Sequence, residues 1–291
     1  MKKSREHFIY LWENFTKSQL FQENINTYLK DLQNLLPQNS LVFLLTDKKN
    51  TTKISNINKP IIAYTTFHII SKLNMTSEII DAVDGRLLTD KNILKHYSET
   101  PLFSPSYPFR VNKGEVGCFM SFRKAWQEIV DQKLSAGLIF EDDVSLNPDT
   151  FNESLTSALK WIDEYGYIQF QVRDIPKNSK SIKSFQGVQL LQPMPTLLRC
   201  SAQLVSYSTA KKLLEITKKF DRPVDGLLQL HWNTKINITT ICPSGVKDNT
   251  QASGGSNLSL KIPLDQRLKQ EFNRIRYRYN IKKYTKKYHK I

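Results

Sequence analysis

An α/β fold with a mostly parallel sheet packed between helices is predicted by two patterns in this chain of 291 residues. From Ser40 onward, apolar runs of strand length alternate with longer segments whose apolar residues recur at helical spacing, the arrangement of strands joined by helices. One such run, Ala136-Gly137-Leu138-Ile139-Phe140, breaks at its carboxyl end into Glu141-Asp142-Asp143. Open α/β sheets gather their ligands at strand carboxyl ends. With 40% hydrophobic and 24% charged residues, the chain can bury a sizeable core and is not of disordered composition.

Taken in order, Phe8, Leu11, Trp12 and Phe15, then Ile25, Tyr28, Leu29, Leu32, Leu35 and Leu36, keep a helical period closed by Pro37. Residues 1–40 therefore read as a helical extension. Within the main domain, residues 41–260, the pattern predicts strands at 41–45 and 137–140 and an extended segment at 77–83. It further predicts helices at 116–132 and 151–161, a strand at 167–172 and a helix at 208–220, while 61–73 is ambiguous. Asp149 follows Pro148 as a helix-cap candidate. Residues 98–112 and 174–196 read as loops, and 244–259, rich in Ser, Gly and Asn, as a third. The three cysteines, Cys118, Cys200 and Cys242, lack zinc-site spacing and are expected as free thiols.

The net charge of +15 is uneven. Residues 261–291 hold eleven Lys or Arg against Asp265 and Glu271, so nine of the excess charges lie in the last tenth of the chain. There Leu268, Phe272, Ile275 and Tyr279 recur at helical spacing among basic residues. The pattern suits a helix drawn to anionic lipid, at about 1 kcal/mol per basic residue near the surface; a solvated basic terminus is the alternative. No nucleic-acid module accompanies the charge, so nucleic acid is not expected as a partner. No apolar run has signal-peptide or spanning length, and the expected location is the cytoplasm, peripheral to the inner membrane.

Several segments, in this order, resemble the family 25 glycosyltransferases, which include bacterial lipooligosaccharide galactosyltransferases and collagen galactosyltransferases. They are Asp81-Ala82-Val83-Asp84-Gly85, Gly114-Glu115-Val116-Gly117-Cys118 with Ser121 and Trp126, Leu138 through Val144, residues 202–214, and Pro223-Val224-Asp225. Two positions depart from the family pattern. Thr51-Thr52-Lys53 stands where a pair of arginines is usual, and Phe122 where a His is common. The resemblance implies a GT-A-type, Rossmann-like nucleotide-sugar-binding fold. It further implies inverting transfer of a hexose, most simply galactose from UDP-galactose, to a saccharide on a lipid-linked surface glycan.

The chemistry of such a transfer needs stabilisation of the leaving diphosphate, which Mn²⁺ or Mg²⁺ supplies when held by carboxylate oxygens and the substrate's phosphates. Clustered carboxylates repel unless a cation compensates them. Asp143 is the expected metal ligand with Asp142 beside it, and Glu141 or Asp142 would reach the ribose or support the metal. All three can act together only if the strand ends at this point. Asp84, Gly85 and Glu115 are expected at the donor, Gly85 by letting backbone approach closely. Inversion calls for a base at the acceptor hydroxyl, with Asp225 the first candidate and Asp174 the second. His231 and Trp232 are either acceptor-groove or core residues. Two other classes share these features: a metal-dependent phosphoesterase or nuclease, and a non-catalytic polyanion-binding protein.

Overall fold

The computed structural model describes residues 41–46, 76–177, 179–248 and 264–288. The expected N-terminal helices, the ambiguous stretch 61–73 and most of the loop at 244–259 lie outside the described residues. Within them the strands are β1 (Leu41–Thr46), β2 (Thr76–Asp81), β3 (Ala136–Glu141), β4 (Val144–Leu146), β5 (Tyr167–Phe170), β6 (Lys180–Phe185), β7 (Val188–Gln192), β8 (Ala202–Ser206), β9 (Thr239–Cys242) and β10 (Val246–Asp248). The helices are α1 (Asp90–His96), α2 (Lys113–Asp131), α3 (Pro148–Tyr165), α4 (Tyr207–Ile216), α5 (Val224–Leu228), α6 (His231–Thr234) and α7 (Leu264–Tyr288), with a 3-10 turn at Gly85–Leu87.

Eight strands form one sheet in the order β2-β1-β3-β8-β5-β9-β7-β6, and β4 pairs with β10 beside it. The sheet is mixed, which corrects the expectation of a mostly parallel one. β1 is parallel to β2 and β3, and β5 to β9, but β8 runs antiparallel between β3 and β5, and β7 runs antiparallel to β6 and β9. The physical reason is that every residue of β8 is buried. A strand covered on both faces is a continuous apolar run whichever way it points. The expected loop at 174–196 contains the β6–β7 hairpin, turned by Gln186 and Gly187 at φ 47° and 81°, the left-handed pair that two-residue hairpins require. Lys180 and Lys183 lie on its outer strand, where charge discourages further pairing.

Helix boundaries follow their caps. α2 starts earlier than its apolar period because Asn112 accepts from the Glu115 N–H at 2.9 Å while Glu115 accepts from the Asn112 N–H at 2.8 Å, a capping box. At α3 the cap is Asn147 and not Asp149, with Pro148 in the first turn, and Gly166 at φ 71° ends the helix.

Alternation along the central strands sorts the core into two layers. Ile139, Tyr167 and Val205 face α2, where they meet Phe119, Phe122, Trp126 and Ile129. Leu138, Phe140, Ile168 and Leu204 face α3, where they meet Phe151, Leu155 and Trp161. Phe119 and Phe220 stack at 3.8 Å with planes 5° apart, tying α2 to the segment after α4.

α7 has two faces. One docks on the domain: Ile281 is buried with Leu230 and Trp232, and Tyr284 and Tyr288 lie against the Trp232 ring. The other leaves Phe272, Ile275 and Tyr279 at 67%, 63% and 65% exposure, with exposed Arg276, Lys282 and Lys283 alongside. Among the described residues no helix is long and apolar enough to cross a membrane.

Phe119 is fully buried and shared by two elements, so Phe119→Ala is expected to lower unfolding stability by about 3–5 kcal/mol. Urea denaturation followed by tryptophan fluorescence measures it, and a loss below about 1 kcal/mol would contradict the packing.

Candidate active site

β3 ends at Glu141, and Asp142 and Asp143 form the turn before β4. The condition for three adjacent acids to share one site is therefore met. Because β8 is antiparallel, its start lies beside the end of β3: Phe140 pairs with Ala202, and the Glu141 N–H donates to the Ser201 carbonyl at 2.9 Å. Residues sixty positions apart in the chain thus meet at the acidic turn. The Glu141 carboxyl is pushed up to about 8, first by burial, then by the charges of Asp143 and Asp142, with the Ser201 side chain and the Arg199 guanidinium opposing the rise.

The face of β3 that carries Glu141 also faces α2, the helix that carries the Cys118 thiol. Burial raises that thiol well above its ordinary range, and the charges of Glu141, Asp225, Glu115 and Asp143 raise it further. The charges of three separate segments thus act on one half-buried thiol. Cys200 is a second such thiol, raised by burial, Asp225 and Glu141. Glu115 is itself raised, by burial and by the Asp225 charge, against the lowering effect of its bond from Asn112.

Asp225 opens α5, with Oδ1 accepting from the Gly226 N–H at 2.7 Å and Oδ2 from the Arg199 N–H at 3.3 Å. Just before it, Arg222 is wholly buried and bonded twice to Asp221, at 2.7 and 3.1 Å. Arg222 also donates to the Phe103 carbonyl and to the Tyr277 hydroxyl of α7, each at 3.0 Å. Asp221 accepts from the Leu102 N–H at 2.7 Å. This pair holds the turn that presents Asp225.

Other expected residues fall differently. Asp174 is exposed in the segment after β5 and is not among the charges acting on Cys118, Cys200 or Glu141. Asp84 caps its own 3-10 turn and pairs with Arg86 at 2.9 Å. The close approach at Gly85 is to protein: a Cβ there would lie 1.9 Å from the Lys113 carbonyl oxygen, and one on Gly117 would lie 2.5 Å from that of Val83. These two glycines let the loop after β2 sit on the first turn of α2, where the Ser121 hydroxyl accepts from the Val83 N–H at 2.8 Å. The side of Gly85 that a Cβ would occupy is filled by this backbone. Trp232 is core, its indole N–H donating to the Ser104 carbonyl at 2.6 Å, and Phe122 is fully buried against Trp126.

The sequence reading missed Arg199 and Asp248. Asp248 lies on β10 opposite Val144, one residue past the acidic turn, and pairs with the Arg199 guanidinium at 3.2 Å. The one available signal was a lone charge in the apolar stretch Leu197-Leu198-Arg199-Cys200.

The model of glycosyltransferase family 25, described as an LPS biosynthesis protein, matches residues 55–228. The chain belongs to glycosyltransferase family 25. Zebrafish procollagen galactosyltransferase 1 is 41% identical over 168 residues, covering 54% of this chain and 27% of that protein. A family 25 member from Aedes aegypti is 27% identical over 233 residues, covering 76% of this chain and 37% of its own. A rat protein named as a probable inactive family 25 member 3 is 39% identical over 92 residues, 31% of this chain and 16% of its own. The chain therefore spans well under half the length of these relatives.

In this family 25 chain the donor set at the β3 terminus consists of hard carboxylate oxygens with Arg199 as the opposing cation, which fits Mn²⁺ or Mg²⁺ by type. Among the described residues no three His, Cys, Asp or Glu side chains are placed to hold a metal on their own. The residues thus fit an ion bound by one or two carboxylates and completed by substrate phosphates, not a preformed cage.

A carboxyl raised in the folded state gives stability that is complete below its unfolded value and lost as pH rises through the folded one. In divalent-free buffer the protein should therefore lose stability as pH rises from about 4.5 to about 8, and Glu141→Gln should flatten that slope. Thermal melts across this range test it, and parallel slopes would refute it.

Proposed function

We propose that this chain is a Mn²⁺- or Mg²⁺-dependent inverting glycosyltransferase that moves a hexose, galactose from UDP-galactose, onto a saccharide of a lipid-linked surface glycan. The observation that carries this reading is the acidic turn Glu141-Asp142-Asp143 at the carboxyl end of β3, met there by the Ser201 carbonyl just before β8, in a chain of family 25. Relatives named procollagen galactosyltransferases support galactose as the sugar, and the family's description as LPS biosynthesis supports the acceptor class.

In this reading Asp143 and Asp142 hold the cation, which when bound neutralises charge on the departing diphosphate. Glu141 supports them or reaches the ribose, and Glu115 and Asp84 lie on the donor side. Asp225 accepts the proton of the acceptor hydroxyl as that oxygen bonds to the anomeric carbon. The bond from this carbon to the diphosphate oxygen breaks, and its electron pair leaves with the nucleoside diphosphate. One backbone N–H on each carboxylate oxygen fixes the orientation of Asp225, which favours it over the exposed Asp174.

With UDP-galactose and Mn²⁺ the protein should release UDP slowly without acceptor, and Asp143→Asn should cut that rate by about 10²–10³. Unchanged turnover in the variant would reject the role of Asp143. Phosphodiester cleavage without sugar transfer would point to a phosphoesterase, and salt-sensitive polyanion binding without UDP affinity to a binding protein.

The same reading puts the chain in the cytoplasm, peripheral to the inner membrane, with the outward face of α7 on anionic lipid. The support is the strip of Phe272, Ile275 and Tyr279 set among exposed basic residues, opposite the docked face. Replacing all three by Ser should reduce co-sedimentation with phosphatidylglycerol vesicles at least about tenfold while leaving UDP release intact. Equal sedimentation by the variant would dismiss the contact.

A further inference from the structure

Arg199 occupies a left-handed backbone conformation, φ 87°, which a side chain of its size rarely adopts. The segment around it is over-determined. Its N–H donates to Asp225, and its carbonyl accepts from the Gln169 amide. The Leu198 carbonyl accepts from Gln171 at 3.3 Å, and the Thr196 carbonyl from Gln229. All three glutamines are buried, at 4%, 5% and 7% exposure. Three interior amides and a carboxylate thus hold one non-glycine residue in a disfavoured conformation. An arrangement of this kind marks residues whose side chain has to point one way.

The guanidinium points to the acidic turn. Nη2 meets Oδ2 of Asp248 at 3.2 Å, the side chain stays 32% exposed, and its charge is the cation felt at Glu141. Among the described residues its Nε and Nη1 donate to nothing. A guanidinium presents donors in a planar fork that matches phosphate oxygens two at a time, so a single contact to one carboxylate oxygen leaves most of that capacity open. The antiparallel entry of β8 sets it beside the carboxyl end of β3, where an α/β sheet receives its ligand.

We infer that Arg199 is a ligand of the donor's diphosphate, clamped in place by Gln169, Gln171 and Gln229 and parked on Asp248 when no donor is bound. The inference rests on the nucleotide-sugar reading and adds a phosphate contact to it. It assigns Asp248 the part of a counter-ion that releases the guanidinium on donor binding.

The test compares uridine, UMP and UDP binding to the full chain by calorimetry in Mn²⁺, for the wild type, Arg199→Gln and Arg199→Lys. Mn²⁺ affinity without nucleotide is measured alongside. Arg199→Gln is expected to weaken UDP by about ten- to hundredfold, UMP less and uridine not at all, with Mn²⁺ affinity unchanged. Arg199→Lys should recover part of the loss. An unaltered ratio of UDP to uridine affinity in Arg199→Gln overturns the inference. So does a loss of Mn²⁺ affinity as large as that of UDP, which would reduce Arg199 to a brace for the carboxylates. If the wild type binds no UDP, the nucleotide-sugar reading itself falls. Uridine binding that persists in both variants shows that they are folded.

Discussion

The burial of one carboxyl beside two others, at the end of a strand covered on both faces, is the constraint on which the arrangement near it depends. Glu141 cannot retreat from Asp142 and Asp143, because Phe140 and Ile139 are buried and the backbone of Glu141 is bonded to Ser201. Burial first, then the charges of Asp143 and Asp142, pushes the Glu141 carboxyl up to about 8, and the Arg199 guanidinium opposes that rise only in part. The proposed chemistry would use the remaining imbalance, through a bound cation, at the moment when a diphosphate departs.

That imbalance is held by parts that are individually unremarkable. The strand β8 enters the sheet against the direction of its neighbours and so delivers the Arg199–Ser201 segment to the acidic turn. Buried glutamines satisfy the carbonyls of that segment, whose neglect in the interior would be costly. Just ahead of α5, the Asp221–Arg222 pair is a buried ion pair with further partners, the kind whose disruption costs far more than its formation yields. It is best understood as fixing the direction of the Pro223-Val224-Asp225 turn.

What could be read from the sequence was what local pattern encodes. β3 and its acids, the helical periods of α2 and α3, and the end of α2 near residue 131 follow from spacing and composition. The direction of β8 did not, because burial on both faces erases the alternation that would have shown it. The packing of Gly85 on α2 was not legible, because a bare Cα admits a helix turn as readily as a ligand and the sequence does not say which is near. Arg199 and Asp248 were invisible for a different reason. Their partners are far away in the chain, and pairing between strands, not spacing, brings them together. Phe122 fills the core beside Trp126.

The hydroxyl of Tyr277 is the acceptor for one end of the buried Arg222, and through it the basic helix belongs to the domain. Any shortened form that stops ahead of this tyrosine strands a guanidinium in the interior one acceptor short, a few residues from Asp225. Removing the cationic terminus to improve handling would therefore disturb the turn that carries Asp225, which the trimming was meant to leave alone.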